Sequence, residues 1–200
     1  MSTKETIAFT SAGISKSIGI PTLFNKFESR KKFCNKYFSQ NYNYFWEELK
    51  NFESQISTKT PSLSHKLISE HDFKVITLNI DNFHTLAGSQ NVIEVYGNLH
   101  KVYCTCCNNE FPFSEIYKNL YCPLCGNKIK PEFMLHKDNT PECTTAFNLL
   151  KPNQCVLFIG TSFNTTFSRL FLYKAQCLRS EIHCFNQNTD KQLVDFLAKF

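Results

Sequence analysis

The chain has no long apolar run, and none approaches the length of a membrane span. The N-terminal Met1-Ser2-Thr3-Lys4-Glu5-Thr6 lacks an apolar signal region, so a cytoplasmic or nuclear protein is expected. Charge of one sign is never concentrated. The net charge is +5, but no basic block and no aromatic–basic stripe appears. Nucleic acid and membrane are therefore not expected partners. No internal repeat or low-complexity tract divides the 200 residues, a length that fits one domain or one large domain with a small insert.

Cysteine is the opposite case, with ten residues. Four of them form two pairs, Cys104-x-x-Cys107 and Cys122-x-x-Cys125. Two such knuckles can place four thiolates tetrahedrally around one Zn²⁺. Turn residues flank both: Asn108-Asn109 beside the first, Pro123 and Gly126-Asn127 beside the second. Cys106 lies inside the first pair and is a competing ligand on spacing alone. A closed four-sulfur site leaves no position for water, so the expected role is structural. Cys34, Cys143, Cys155, Cys177 and Cys184 are scattered, as suits reduced thiols.

The rest reads as alternating strands and helices. Residues 6–10 predict a short strand, and 73–77, 156–159 and 181–185 predict three more. Within 31–56, Tyr44, Phe45, Leu49 and Phe52 recur near helical spacing around Trp46. Thr60-Pro61-Ser62 predicts a helix start, and 192–200 a closing helix through Leu193, Phe196 and Leu197. Such alternation implies a parallel sheet covered on both faces, with ligands bound beyond the carboxyl ends of its strands.

Three turns fall at those ends. Ser11-Ala12-Gly13-Ile14-Ser15 lets backbone N–H groups approach a phosphate, and a tight crossover alone would also need its glycine. Asn79 and Asp81 can bond a ribose or cap the next helix. Gly160-Thr161-Ser162 is a second phosphate or ribose turn.

In this order, around this cysteine pattern, the turns resemble those of the sirtuins, the NAD-dependent protein-lysine deacylases. Ala12-Gly13-Ile14-Ser15 with Gly19-Ile20-Pro21 is similar to the family's GAGIS…GIP segment. Pro61 to His65 resembles its PNxxH helix start, and Asn79-Ile80-Asp81…His84…Ala87-Gly88 its QNID…H…AG segment. Asn91-Val92-Ile93-Glu94 leads into the place of its histidine–glycine pair, and Gly160-Thr161-Ser162 and Asn186 follow in order.

The resemblance implies an α/β fold. A Rossmann-like NAD-binding part would comprise residues 1–24, 60–100 and 139–200. A small domain would combine a helical insert, 25–59, with a zinc ribbon, 101–138. It implies NAD or ADP-ribose and an acylated protein lysine as partners. It also implies that Ala12, Gly13, Ser15, Pro21, Asn79, Asp81, Gly160, Thr161, Ser162 and Asn186 contact the nucleotide.

The departures fall at functional positions. The family's proton-accepting histidine is Tyr96 here, before Gly97. A phenol titrates near pH 10 and is a poor base at neutrality. Phe24 stands at the family's arginine, Leu23 at the aromatic before it, Leu78 at its glutamine, and Ser11 at its first glycine. His136-Lys137-Asp138 replaces the segment beside the acyl-lysine peptide. His100, four residues past Tyr96, would be more than ~10 Å away if the strand continued at ~3.3 Å per residue. The expected function is NAD binding with weak or lost deacylase activity. The alternatives are a divergent NAD hydrolase or ADP-ribosyltransferase using Asn79 and Asp81, and a zinc-stabilised interaction module without enzymatic activity.

Overall fold

The structure, a computed structural model, describes residues 4–20, 33–133 and 141–199. Five parallel strands form the main sheet: β1 (Thr6–Thr10), β2 (Lys74–Thr77), β3 (Val92–Glu94), β7 (Cys155–Ile159) and β8 (Glu181–Phe185). Their order is β3-β2-β1-β7-β8. β1 and β7 are buried along their whole length, as strands covered on both faces must be. The chain steps outward from β1 through β2 to β3, then returns to the other side of β1 as β7. That reversal opens a crevice between the ends of β1 and β7.

Helices cover both faces. One core joins Phe9 and Phe158 of the sheet to Phe167 and Phe171 of α7 (Thr166–Cys177). The other joins Ala8, Leu157 and Phe185 to Ile68 of α3 (Leu63–Glu70) and Leu193 of α8 (Thr189–Leu197). α6 (Pro141–Leu149) adds Ala146 to the first core.

A second, three-stranded antiparallel sheet has the order β5-β4-β6, from β4 (Lys101–Cys104), β5 (Glu110–Pro112) and β6 (Ile129–Pro131). A short helix, α5 (Glu115–Lys118), follows β5. Two helices, α1 (Asn35–Gln40) and α2 (Tyr42–Ser57), share one core with this sheet, where Phe45, Trp46 and Leu49 meet Val102, Phe113 and Ile129. Tyr42 pins α2 to the ribbon: its hydroxyl donates to the Leu120 carbonyl and accepts from the Ile129 N–H at 3.0 Å.

Several elements differ from the sequence reading. Tyr44 lies on the outer face of α2, 66% exposed, while Phe45, Trp46, Leu49 and Phe52 form the buried stripe. The closing helix begins at Thr189, earlier than expected, and α6 and α7 were not anticipated. No helix among the described residues is long and apolar enough to cross a membrane.

Candidate functional site

The turns after β1, β2 and β7 lie side by side because those strands are neighbours. The Gly13 N–H donates to the Gly160 carbonyl at 2.9 Å, and the Ser11 N–H to Ile159 at 3.1 Å. A Cβ on Gly13 would sit 2.5 Å from Gly160 Cα. Gly160 also has a φ of +67°, a left-handed conformation that disfavours any side chain. Both glycines are therefore required by backbone contact at the crevice itself. After Gly160, Thr161 is buried and Ser162 exposed.

Past β1 the chain enters a 3-10 turn over Ala12–Ile18, which buries Ser15. The Ser15 hydroxyl donates to Asp81 Oδ2 at 2.9 Å, and Asn79 Nδ2 approaches Ser15 Oγ at 3.4 Å. Asp81 Oδ1 accepts from the Phe83 N–H at 3.1 Å, ahead of the short helix α4 (Phe83–Leu86). Asp81 thus serves two roles at once, holding the next helix turn and facing Ser15. Burial raises its carboxyl pKa above the usual range, against the pull of the Phe83 and Ser15 bonds. Ser15 joins Asn79 and Asp81, 64 and 66 residues further on, in one buried polar cluster. Asn186 lies exposed just beyond β8, at the same end of the sheet.

Two histidines lie behind this cluster. His84 Nε2 meets Thr10 Oγ1 at 2.8 Å, and His65 Nδ1 meets Ser62 Oγ at 2.7 Å. Their rings are 4.6 Å apart. Burial keeps both neutral, lowering His65 to about 4 and His84 well below its ordinary value.

Tyr96 follows β3 and packs against the cores of both sheets. It is half-buried. Burial raises its phenol above the ordinary value, against the opposing influence of the Thr165 side chain, which caps α7. Next to it, Gly97 has a φ of +79°, and a Cβ there would lie 2.7 Å from Phe133 Cα. The Tyr96-Gly97 turn is therefore pressed against the chain leaving β6. Asn98 secures it: its amide donates to Glu94 at 2.9 and 3.0 Å, and its backbone N–H to Glu132 at 2.6 Å. Burial and the Glu132 charge push Glu94 up to about 7, against the Asn98 bond.

His100 corrects the extended-strand expectation. β3 ends at Glu94, and Gly97 reverses the chain. The Leu99 N–H then donates to the Ile80 carbonyl at 2.9 Å, and His100 Nε2 lies 3.4 Å from the Asp81 carbonyl oxygen. His100 is thus beside the Asp81 turn, not displaced along a strand. The sequence reading also missed Thr165, Glu94, Asn98 and Glu132. Asn98, immediately after the Tyr96-Gly97 pair, was the available signal. Pro21, Leu23, Phe24 and His136 to Asp138 lie outside the described residues.

The four cysteines of the two pairs converge, with all four sulfurs within 4.8 Å of one another. Cys104 and Cys125 are 3.4 Å apart and Cys107 and Cys122 3.7 Å. A tetrahedral site with ~2.3 Å Zn–S bonds has sulfur separations of ~3.8 Å, so the cluster fits. Asn109 Nδ2 donates to Cys107 Sγ at 3.2 Å and Asn127 Nδ2 to Cys125 Sγ at 3.5 Å. These bonds lower both thiols, Cys125 to about 6. Cys106 is exposed and is not one of the four converging ligands.

The model of the Sir2 family matches residues 11–166. The chain belongs to the Sir2 family. The NAD-dependent protein deacylase 1 of Caldanaerobacter subterraneus is 35% identical over 175 residues, covering 78% of this chain and 72% of that one. Among solved structures, a Sir2–p53 peptide–NAD⁺ complex superposes with a TM-score of 0.89 at 22% identity, over 99% of this chain and 94% of that one. A Sir2 mutant with histidine changed to tyrosine, with p53 peptide and NAD, gives 0.86 at 23% identity, over the same shares of the two chains. At these identities the likeness is one of fold. The Sir2 fold is the frame in which the polar cluster, the paired glycines and the four sulfurs are arranged.

Proposed function

We propose that this Sir2 protein binds NAD and ADP-ribose and that its protein-lysine deacylase activity is weak or lost. Tyr96 carries the reading. It stands where the family resemblance puts the histidine that accepts a ribose hydroxyl proton. Its phenol is raised by burial, so it stays protonated at neutral pH. A group protonated at neutral pH cannot take up that proton, and losing general-base catalysis typically costs ~10²–10⁴ in rate.

The binding half rests on the intact parts. Ala12, Gly13, Gly160, Thr161 and Ser162 hold the phosphates and adenosine ribose, at strand-end turns where the Gly13 and Gly160 N–H groups fix the backbone and the small residues let an anion approach the chain. Asn79 and Asp81, braced by Ser15, face the nicotinamide-side ribose, and Pro21 and Asn186 complete the contacts. NAD, when bound, supplies the ribose carbon that an acyl-lysine carbonyl would attack. Residues 1–24, 60–100 and 139–200 form the nucleotide side of the cleft, and 25–59 with 101–138 the other. Cys104, Cys107, Cys122 and Cys125 hold one structural Zn²⁺ that shapes the ribbon. Cysteines held outside disulfides suit the cytoplasm or nucleus.

A second reading is favoured by the intact Ser15–Asn79–Asp81 cluster: cleavage of the nicotinamide bond with water or another acceptor in place of acyl-lysine. Calorimetric titration with NAD and with ADP-ribose tests the common premise. Both ligands should bind, ADP-ribose at least as tightly, because Leu78 and Tyr96 impair the nicotinamide side. Absence of heat with either at millimolar concentration would leave only a zinc-stabilised interaction module.

A further inference from the structure

A second cluster of ligating side chains lies at the opposite end of the main sheet. Cys155 begins β7 and pairs in register with Glu181, which begins β8. His183 is two residues on, so strand alternation puts it on the same face as Glu181. The Cys155 sulfur, a Glu181 carboxylate oxygen and a His183 ring nitrogen all lie within 4.8 Å of one another. His183 Nε2 and Glu181 Oε1 are 3.0 Å apart.

The surroundings orient each group. Lys4 engages the other carboxylate oxygen, Glu181 Oε2, at 2.7 Å. That contact leaves Oε1 facing the imidazole. The Thr6 hydroxyl donates to the Lys4 carbonyl at 3.3 Å, which holds the lysine's backbone beside the start of β1. Phe196 lies 4.6 Å from the His183 ring, and Phe185 stacks nearly parallel to it at 6.4 Å. Orienting partners of this kind are what metal ligands require.

We propose that Cys155 Sγ, His183 Nε2 and Glu181 Oε1 form a second site for a borderline-soft divalent cation of the Zn²⁺ class, with water in the fourth position. The donor set decides the class. A thiolate and an imidazole disfavour Mg²⁺ and Ca²⁺, which take oxygen ligands, and suit Zn²⁺. Three protein ligands and an open position make this an exchangeable site, unlike the closed four-sulfur cluster. On binding, Cys155 gives up its thiol proton to solvent and His183 presents a free nitrogen lone pair. The ion ties β7 to the edge strand β8. Through Lys4 and Glu181 it also bears on the chain entering β1.

The test is equilibrium dialysis of the whole protein against Zn²⁺ alone, with metal content measured per chain. Wild type is expected to hold two equivalents, and His183→Gln and Glu181→Gln one each, with unchanged circular dichroism. The second equivalent should raise the unfolding temperature of wild type only. Glu181 and His183 lie at the sheet edge, so these variants avoid the packing cost that Cys155→Ala would carry in the core. One equivalent in wild type would overturn the proposal. So would a second equivalent that survives both substitutions, because other thiols such as Cys106 would then hold it.

Discussion

Gly13 and Gly160 meet backbone to backbone across the crevice between β1 and β7, leaving room for no side chain on either. Gly160→Ala is expected to destabilise the protein by about 2 kcal/mol or more, from positive-φ strain plus the collision with Ile14 N. Gly19→Ala serves as the contrast. Its φ is +74°, but among the described residues only Lys59 Nζ, at 4.0 Å, lies near the new Cβ, so about 1 kcal/mol is expected. Urea unfolding of both variants checks this. Equal losses would mean that the close approach costs nothing.

The buried histidines set an acid response. His65 and His84 are neutral when folded, with depressed pKa values, so the unfolded chain takes up their protons first. Their contribution to stability is lost as pH falls from ~6.5 towards 4. Glu94 has the opposite sign. Its folded value of about 7 exceeds the ordinary 4.5, so its ionisation costs stability as pH rises across that window. Glu94→Gln removes the opposing slope. Urea midpoints between about pH 7 and about pH 5 should fall more steeply in the variant than in wild type. An equal or shallower slope would contradict these assignments.

The chain's single tryptophan reports on the ribbon. Trp46 is fully buried in the core that α2 shares with β4 and β6. Chelation or Cys122→Ser should shift its emission to longer wavelength, since structural zinc binding is folding free energy. Metal-free protein with unshifted emission would remove zinc from the description.

Much of the site was legible because its signals are local. The cysteine knuckles, the Gly13 turn and the Asn79–Asp81 turn each occupy a few residues, and the strand order then brings the turns together. What stayed hidden depended on folding. The α7 stripe of Phe167, Phe171 and Ala175 was masked by Leu170 and Tyr173, which are apolar yet exposed on other faces. His100 was misplaced because one left-handed residue, Gly97, reverses the chain. Cys155, Glu181 and His183 are united only by parallel register, which no spacing rule reads.

The most direct measurement is nicotinamide release with and without an acetyl-lysine peptide, on wild type and Tyr96→His. Wild type should release nicotinamide far more slowly than a working deacylase. The substitution should recover little of the ~10²–10⁴ that a base supplies, because Phe24 and the His136-Lys137-Asp138 segment also depart from the family, and residues acting as one unit fail together. Release without peptide would favour the NAD-hydrolase or ADP-ribosyl-transfer reading. Robust peptide-dependent release by wild type would contradict the loss of deacylation and require another base, with His100 beside Asp81 the first to substitute.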